Sequence, residues 1–260
     1  MKRVRSLFTK LRKAGRPGLI AYLTCGDPDL ATTIRVAAAL EGAGADAIEL
    51  GIPFSDPIAD GPVIQAAAQR ALRSGTTTDG VLEVARSVRA ASEIPLIAFS
   101  YLNPILRYGV DRFAENASAA GIDSVLITDL PPESADVFRS TMHFHGLGVI
   151  FLLAPTSSNA RARLIDRASD GFVYYVSTTG VTGVRRELDP ALLERLGEVR
   201  ALVKKPLAVG FGISHAEHLS MLRDRCDAVV VGSAIVRAIA DGDAAGAPER
   251  AAEVVRGILG

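Results

Sequence analysis

The chain has 260 residues with 29 basic and 29 acidic side chains, and its formal net charge is zero. That balance argues against a nucleic-acid or polyanion binder, where a basic excess is expected. With 48% hydrophobic residues the chain can bury a sizeable core, its length suits one α/β barrel or at most two small domains, and no run is long and apolar enough for a secretory signal or a membrane span.

The first segment interleaves Lys2, Arg3, Arg5, Lys10, Arg12, Lys13 and Arg16 with Val4, Leu7, Phe8 and Leu11. This pattern predicts a short amphipathic helix covering one end of the fold, with a membrane-surface or targeting segment as the alternative. Short β-rich runs then recur, each closed by Gly, Pro, Asp or Ser and followed by a helical pattern. They are Leu19–Thr24, Ala47–Gly51, Leu96–Tyr101, Ser124–Thr128, Gly148–Leu153, Gly171–Ser177, Leu207–Phe211 and Ala228–Val231. Helices are predicted over Leu30–Glu41, Pro62–Arg73, Thr78–Ala90 and Leu192–Val203, and Asp241–Pro248 reads as a surface loop. The strands are apolar almost without alternation, as when both faces are buried. Eight strand–helix units without a surplus region favour closure into one α/β domain over residues 1–260, a (β/α)8 TIM barrel with an extra N-terminal helix, over an open doubly wound sheet. Turns such as Gly44-Ala45-Asp46 and Gly121-Ile122-Asp123 precede the strands, whereas Gly, Asp, Glu, Asn, Ser and Thr gather after them. In a barrel the active site lies at the C-terminal strand ends.

Three glycine-bearing turns stand at those ends: Gly180-Val181-Thr182-Gly183, Gly210-Phe211-Gly212-Ile213-Ser214 and Gly232-Ser233. Glycine lets backbone approach an anion, and free amides at a helix start donate to its oxygens. These turns predict a phosphorylated small-molecule ligand; the plain alternative is that they are tight turns. Glu49 stands among apolar strand residues, where a carboxylate is costly unless paired or functional, and burial would raise its pKa into a proton-transfer range. Asp60 lies in the Pro- and Asp-rich segment Pro53–Pro62 and is a second proton-transfer candidate; Asp56 and Asp60 could instead cap the following helix. Asp129, before Pro131-Pro132, reads mainly as part of a rigid turn. Of Tyr174 and Tyr175, adjacent in one strand, one must point inward.

The lysines are Lys2, Lys10, Lys13, Lys204 and Lys205, none at a strand's C-terminal end, which speaks against a Schiff-base aldolase. His143 and His145 precede a strand, on the wrong side for a barrel active site, and His215 and His218 fall at a helix start, where surface or capping roles are expected rather than metal ligation. Cys25 and Cys226 are far apart, in no metal or redox spacing, and suit buried positions in a reducing cytoplasm. No dinucleotide fingerprint follows the first strand. Chemistry without metal or cofactor in this chain is the expectation.

The segment Glu49-Leu50-Gly51-Ile52-Pro53-Phe54-Ser55-Asp56-Pro57-Ile58-Ala59-Asp60-Gly61-Pro62 resembles the signature of the tryptophan synthase alpha chain family. Similarity extends over almost the whole chain, through Tyr22–Pro28, Tyr101–Pro104, Asp129–Pro131 and the three glycine turns. The resemblance implies a lyase that cleaves indole-3-glycerol phosphate to indole and glyceraldehyde 3-phosphate. Glu49 would move the proton of the glycerol hydroxyl and protonate indole C3. Asp60 would meet the indole N–H, and Tyr174 would lie near Glu49. Tyr22 would face the ring, Thr182 would meet the Asp60 loop, and Gly183, Phe211, Gly212, Gly232 and Ser233 would hold the phosphate region. It also implies a cytoplasmic α2β2 assembly, ordered αββα, with a pyridoxal-phosphate (PLP) beta chain that receives indole through a tunnel; Pro53–Asp56 and Asn103-Pro104 would contribute to that contact. Two departures stand out. Tyr22 occupies a position where phenylalanine is common, so its hydroxyl needs a partner. Thr178 and Thr179 stand where some members carry an arginine. A free-standing lyase, another phosphosugar barrel such as a phosphoribosyl isomerase, and a regulatory subunit without turnover are the alternatives; intact Glu49 and Asp60 argue against the last.

Overall fold

In the computed structural model, residues 1–176, 190–210 and 215–260 are described. Thr178, Thr179, Thr182, Gly183, Phe211 and Gly212 therefore lie outside the described residues. The strands are β1 (Gly18–Thr24), β2 (Ala47–Gly51), β3 (Leu96–Ser100), β4 (Ser124–Ile127), β5 (Gly148–Ile150), β6 (Leu152–Leu153), β7 (Val173–Val176), β8 (Leu207–Gly210) and β9 (Ala228–Val231). All pairings are parallel, in the order β5-β4-β3-β2-β1-β9-β8-β7-β6. The two ends of that ladder, β5 and β6, are separated in sequence only by Phe151. They are two pieces of one strand, so the sheet closes on itself as the predicted eight-stranded barrel.

Alternation along each strand divides the core in two. Ile20, Ala47, Ile97, Leu126, Ile150, Ala208, Ala228 and Val230 fill the barrel interior. Leu19, Ala21, Leu23, Ile48, Leu50, Leu96 and Ala98 face the surrounding helices. This double burial explains the near-continuous apolar strands. The helix Lys2–Ala14 brings Val4, Leu7, Phe8 and Leu11 against the interior cluster, with Phe8 and Phe172 ring centroids 5.4 Å apart. It closes the N-terminal face, as the amphipathic pattern predicts, and its apolar side is occupied by the barrel.

The turns before alternate strands do more than reverse the chain. Asp46, Asp123, Asp170 and Asp227 accept hydrogen bonds from the amides of Leu19, Leu96, Val149 and Leu207 at 2.9, 3.1, 3.0 and 2.8 Å. Each aspartate's own amide donates back to the carbonyl of the same residue. Each clasp ties the start of one strand to the turn before a later one, on the face opposite the glycine turns.

Some boundaries differ from the sequence pattern. Asn103 and Pro104 lie in the first turn of a helix, Leu102–Tyr108, and Ala247 and Pro248 begin the helix Ala247–Leu259 rather than ending a loop. Proline lacks an amide donor but fits the first helical turn, where that amide has no partner anyway.

Candidate active site

The C-terminal end of the barrel holds a cavity of about 160 Å³ lined by Tyr22, Asp60, Ile64, Phe99, Tyr174, Gly210, Val230, Gly232 and Ser233. No lysine, arginine or histidine is among these residues. Glu49 lies in β2, paired in register with Tyr22 of β1 and Ile97 of β3. Alternation with the outward Ile48 and Leu50 turns it into the barrel. It is 0% exposed, and neither carboxylate oxygen has a hydrogen-bond partner among the described residues. Burial raises its pKa from 4.5 to about 8.

Asp60 is half-buried at the rim, and burial raises its pKa to about 6 against a hydrogen bond from Tyr101 that lowers it. The following helix, Pro62–Arg73, starts at Gly61 without a side-chain cap. Asp56 and Asp60 are therefore not its capping residues. Tyr174 faces the interior and Tyr175 the helices. Burial and then the charge of Glu49 hold the Tyr174 hydroxyl well above its ordinary pKa.

Two tyrosines approach two glycines. A Cβ at Gly210 would come within 2.8 Å of the Tyr174 hydroxyl. A Cβ at Gly51 would lie 2.7 Å from Tyr22 Cζ and 2.8 Å from the carbonyl oxygen of Leu23. Only glycine leaves room at these two strand ends. The Tyr22 hydroxyl finds its partner in Thr24, whose Oγ donates to it at 3.4 Å, and its ring meets Phe99 edge-on, with centroids 5.2 Å apart at 78°.

Gly232 caps the helix Ser233–Ala240, whose ladder begins with the amide of Val236 bonding the carbonyl of Gly232 at 2.9 Å. The amides of Ser233, Ala234 and Ile235 precede that bond and are available to an anion at the cavity edge. Thus Tyr22, Asp60, Tyr174, Gly232 and Ser233 line one cavity, and Glu49, which is not among its lining residues, sits beside Tyr22 in strand register. Thr182, Gly183, Phe211 and Gly212 lie outside the described residues.

Phe99, Ile64 and Val230 line the cavity without having been singled out from the sequence. Phe99 could have been found from alternation with the inward Ile97. Away from the cavity, Asp129 accepts from the amide of Leu102 at 2.7 Å, so it fixes the start of a helix. His143 meets Asp170 at 2.6 Å and His145 meets Asp111 at 3.3 Å. His218 is 2% exposed, a buried residue rather than a surface one, with its ring 5.6 Å from that of His215. Cys25 and Cys226 are both buried, and burial pushes the Cys226 thiol up to about 12.

The family model described as "Tryptophan synthase alpha chain" matches residues 8–257. The chain belongs to the tryptophan synthase alpha chain family. The tryptophan synthase alpha chain of Solibacter usitatus is 54% identical over 239 residues, covering 92% of this chain and 90% of the relative. The crystal structure of the alpha chain from Legionella pneumophila subsp. pneumophila superposes with a TM-score of 0.90 at 36% identity, covering 98% of this chain and 95% of that one. A structure of the tryptophan synthase α2β2 complex from Pyrococcus furiosus contains a chain matched with a TM-score of 0.89 at 40% identity, covering 93% of this chain and 97% of that one.

Proposed function

We infer that this chain catalyses the retro-aldol cleavage of indole-3-glycerol phosphate to indole and glyceraldehyde 3-phosphate, as the alpha subunit of a tryptophan synthase. The observation that carries this reading is the Glu49 carboxyl, fully buried, without a partner among the described residues, and held largely protonated at neutral pH. Breaking the bond between indole C3 and the glycerol chain needs an electron acceptor. Glu49 in its acid form gives a proton to C3, which makes the ring an indoleninium-like acceptor. The carboxylate so formed takes the proton of the chain hydroxyl as the C–C bond breaks, so one acid–base group begins and ends protonated. Asp60 faces the ring N–H and stabilises the positive charge that develops there. Tyr174 neighbours Glu49, and the Tyr22 ring lies along the indole. The amides at Ser233, with Gly232, Gly183, Phe211 and Gly212, hold the phosphate, whose binding energy orients the reacting end. Thr182, outside the described residues, is the residue that the family resemblance assigns to closing the site against the Asp60 loop, which would exclude water.

The phosphate-free product is passed to a beta chain carrying PLP, in a cytoplasmic α2β2 assembly arranged αββα; the cofactor belongs to that partner, and no step described above uses it. Exposed Ile58, 86% accessible, and Leu106, 55% accessible, flank the Pro53–Asp56 loop and the Asn103-Pro104 turn and supply apolar surface for that contact. Assay of indole release from indole-3-glycerol phosphate, alone and with a beta chain, tests the reading. Turnover lost in Glu49→Gln with retained binding of a phosphate-bearing substrate analogue is the expected outcome; a near-wild-type rate in that variant refutes it.

A further inference from the structure

We propose that Gln65 is a positioning residue for Asp60, its carboxamide locking the turn that carries Asp60 onto the helix Pro62–Arg73. The proposal rests on the role given to Asp60 above and adds a residue to which no part of the reaction has been assigned. Asp60 ends a turn, Pro57–Asp60, closed by its own amide donating to the Pro57 carbonyl at 3.0 Å. Ser55, Asp56, Ile58 and Ala59 around it are exposed. A turn with so little burial takes many orientations unless it is fixed from outside, and an acid on it is no better placed than the turn.

Gln65 fixes this turn through its backbone. Its Nε2 donates to the Asp60 carbonyl at 2.8 Å and, at the longer distance of 3.4 Å, to the Pro57 carbonyl. Those are the last and first residues of the turn. Two carbonyls call for two protons, and a carboxamide NH2 carries two on one atom. The side chain thereby ties both ends of the turn to a single point. Among the described residues, the one other side chain bonded to the backbone of this turn is Tyr101, whose hydroxyl accepts from the Ala59 amide at 2.9 Å.

The helix that carries Gln65 is anchored independently of the turn. Ile64, the residue before it, is buried and lines the cavity, and Ala67 and Ala71 are buried on the same helix face. Further along, Arg70 grips the carboxylate of Asp27, just beyond β1, with two bonds at 2.8 and 2.7 Å, and Asp27 is itself buried. Such a bidentate pair fixes orientation as well as distance. Support therefore runs from the end of β1 through Arg70 and the helix to Gln65, and from Gln65 to the carbonyl of Asp60. Without the carboxamide the turn keeps its internal bond and its contact with Tyr101, and loses both side-chain ties to the helix.

The test is a double-mutant cycle on the full chain with Gln65→Met, which keeps the length and helix-forming tendency of glutamine and has no side-chain N–H to give. On its own it should lower kcat/KM for indole-3-glycerol phosphate about tenfold, the cost of a misplaced group. In the Asp60→Asn background the same change should cost less than about twofold, because the group it positions is already disabled. A residue that merely stabilises the barrel would cost the same factor in both backgrounds. Amide hydrogen exchange followed by NMR gives an arm that needs no turnover. The Asp60 amide should exchange about tenfold faster in Gln65→Met than in the wild type, with the Ile48 amide of β2, bonded to the Pro95 carbonyl, unchanged. Gln65→Glu, equal in size and with no N–H on its carboxylate, carries the same expectations should Gln65→Met fail to fold. Equal losses in the two backgrounds, an Asp60 amide whose exchange is unmoved, or an equal acceleration at Ile48 overturns the proposal. A chain that fails to cleave indole-3-glycerol phosphate would sink the functional reading and leave the exchange measurement to decide on Gln65 separately.

Discussion

Glu49→Gln separates the stability effect of a buried acid from its chemical one. The wild-type carboxyl has a folded-state pKa of about 8 against an ordinary value of 4.5. An acid with a raised folded-state pKa binds its proton more tightly in the fold than in the unfolded chain. Its contribution is therefore fully present below pH 4.5, is lost progressively between pH 4.5 and 8, and stays lost above. The accumulated cost is about 1 kcal/mol at pH 5 and about 3 kcal/mol at pH 7, taking 1.4 kcal/mol per unit of pKa difference. Glutamine has nearly the same shape and cannot ionise, so it escapes this cost. Equilibrium urea unfolding at pH 5, 6, 7 and 8 should show Glu49→Gln gaining on the wild type by about 2 kcal/mol between pH 5 and pH 7. Over the same range turnover should be nearly absent. A stability gap that stays constant with pH would refute the reasoning. It would mean that the carboxylate has a stabilising partner in the fold and titrates near its ordinary value.

Asp60→Asn should lower kcat/KM by about 10²-fold, because a charge-stabilising group is lost at the ring nitrogen, with the thermal midpoint almost unchanged, since no helix cap is removed; a large loss of stability would return Asp60 to a structural role. Gly51→Ala places a methyl group against Tyr22 and the Leu23 carbonyl. It should cost about 1–3 kcal/mol in urea unfolding and raise KM by displacing the Tyr22 ring; an unchanged KM would place that ring outside the substrate's reach. Asp123→Ala removes the acceptor of the Leu96 amide, of Arg89 at 3.1 Å and of Arg3 at 3.3 Å. Denaturant unfolding should register a loss of about 3 kcal/mol, with kcat of the folded protein unaltered.

The barrel was legible because its strands obey one rule. Double burial makes Ala47–Gly51 and Ala228–Val231 apolar throughout, and both strands have the bounds that the sequence pattern predicts. Glu49 was legible for the converse reason, as a charge inside such a run. Prolines were harder to read. Pro104 and Pro248 look like stops, yet a missing amide is harmless in a first helical turn, and only the tertiary packing of Ile105 and Ala247 decides that helices form there. The contact made by Tyr101 was hidden because it depends on where a loop more than forty residues earlier folds back: its hydroxyl accepts from the amide of Ala59, 42 positions away. The Tyr22 hydroxyl raised the right question, and the answer lies in a residue two positions on, Thr24, which alternation brings to the same face of β1.

The buried and half-buried acids at the strand ends of this barrel differ in their partners. Asp46 accepts from Leu19 and takes both arms of Arg16, at 2.8 and 2.7 Å. Asp123 has an amide and two guanidinium groups, and Asp170 and Asp227 each have an amide and a basic side chain. These four stand on the N-terminal face, where an ionised carboxylate with several donors stabilises strand starts. Glu49 lies inside the barrel, fully buried, and has none among the described residues. A fold able to supply amides and basic side chains to four aspartates has the means to satisfy a fifth acid. Leaving Glu49 bare keeps its proton exchangeable near neutral pH, which is the property that acid–base cleavage requires. The same comparison sets the expected signs of the two substitutions. Neutralising Asp123 weakens the fold because its donors are stranded, whereas neutralising Glu49 strengthens it at pH 7 because no donor is lost.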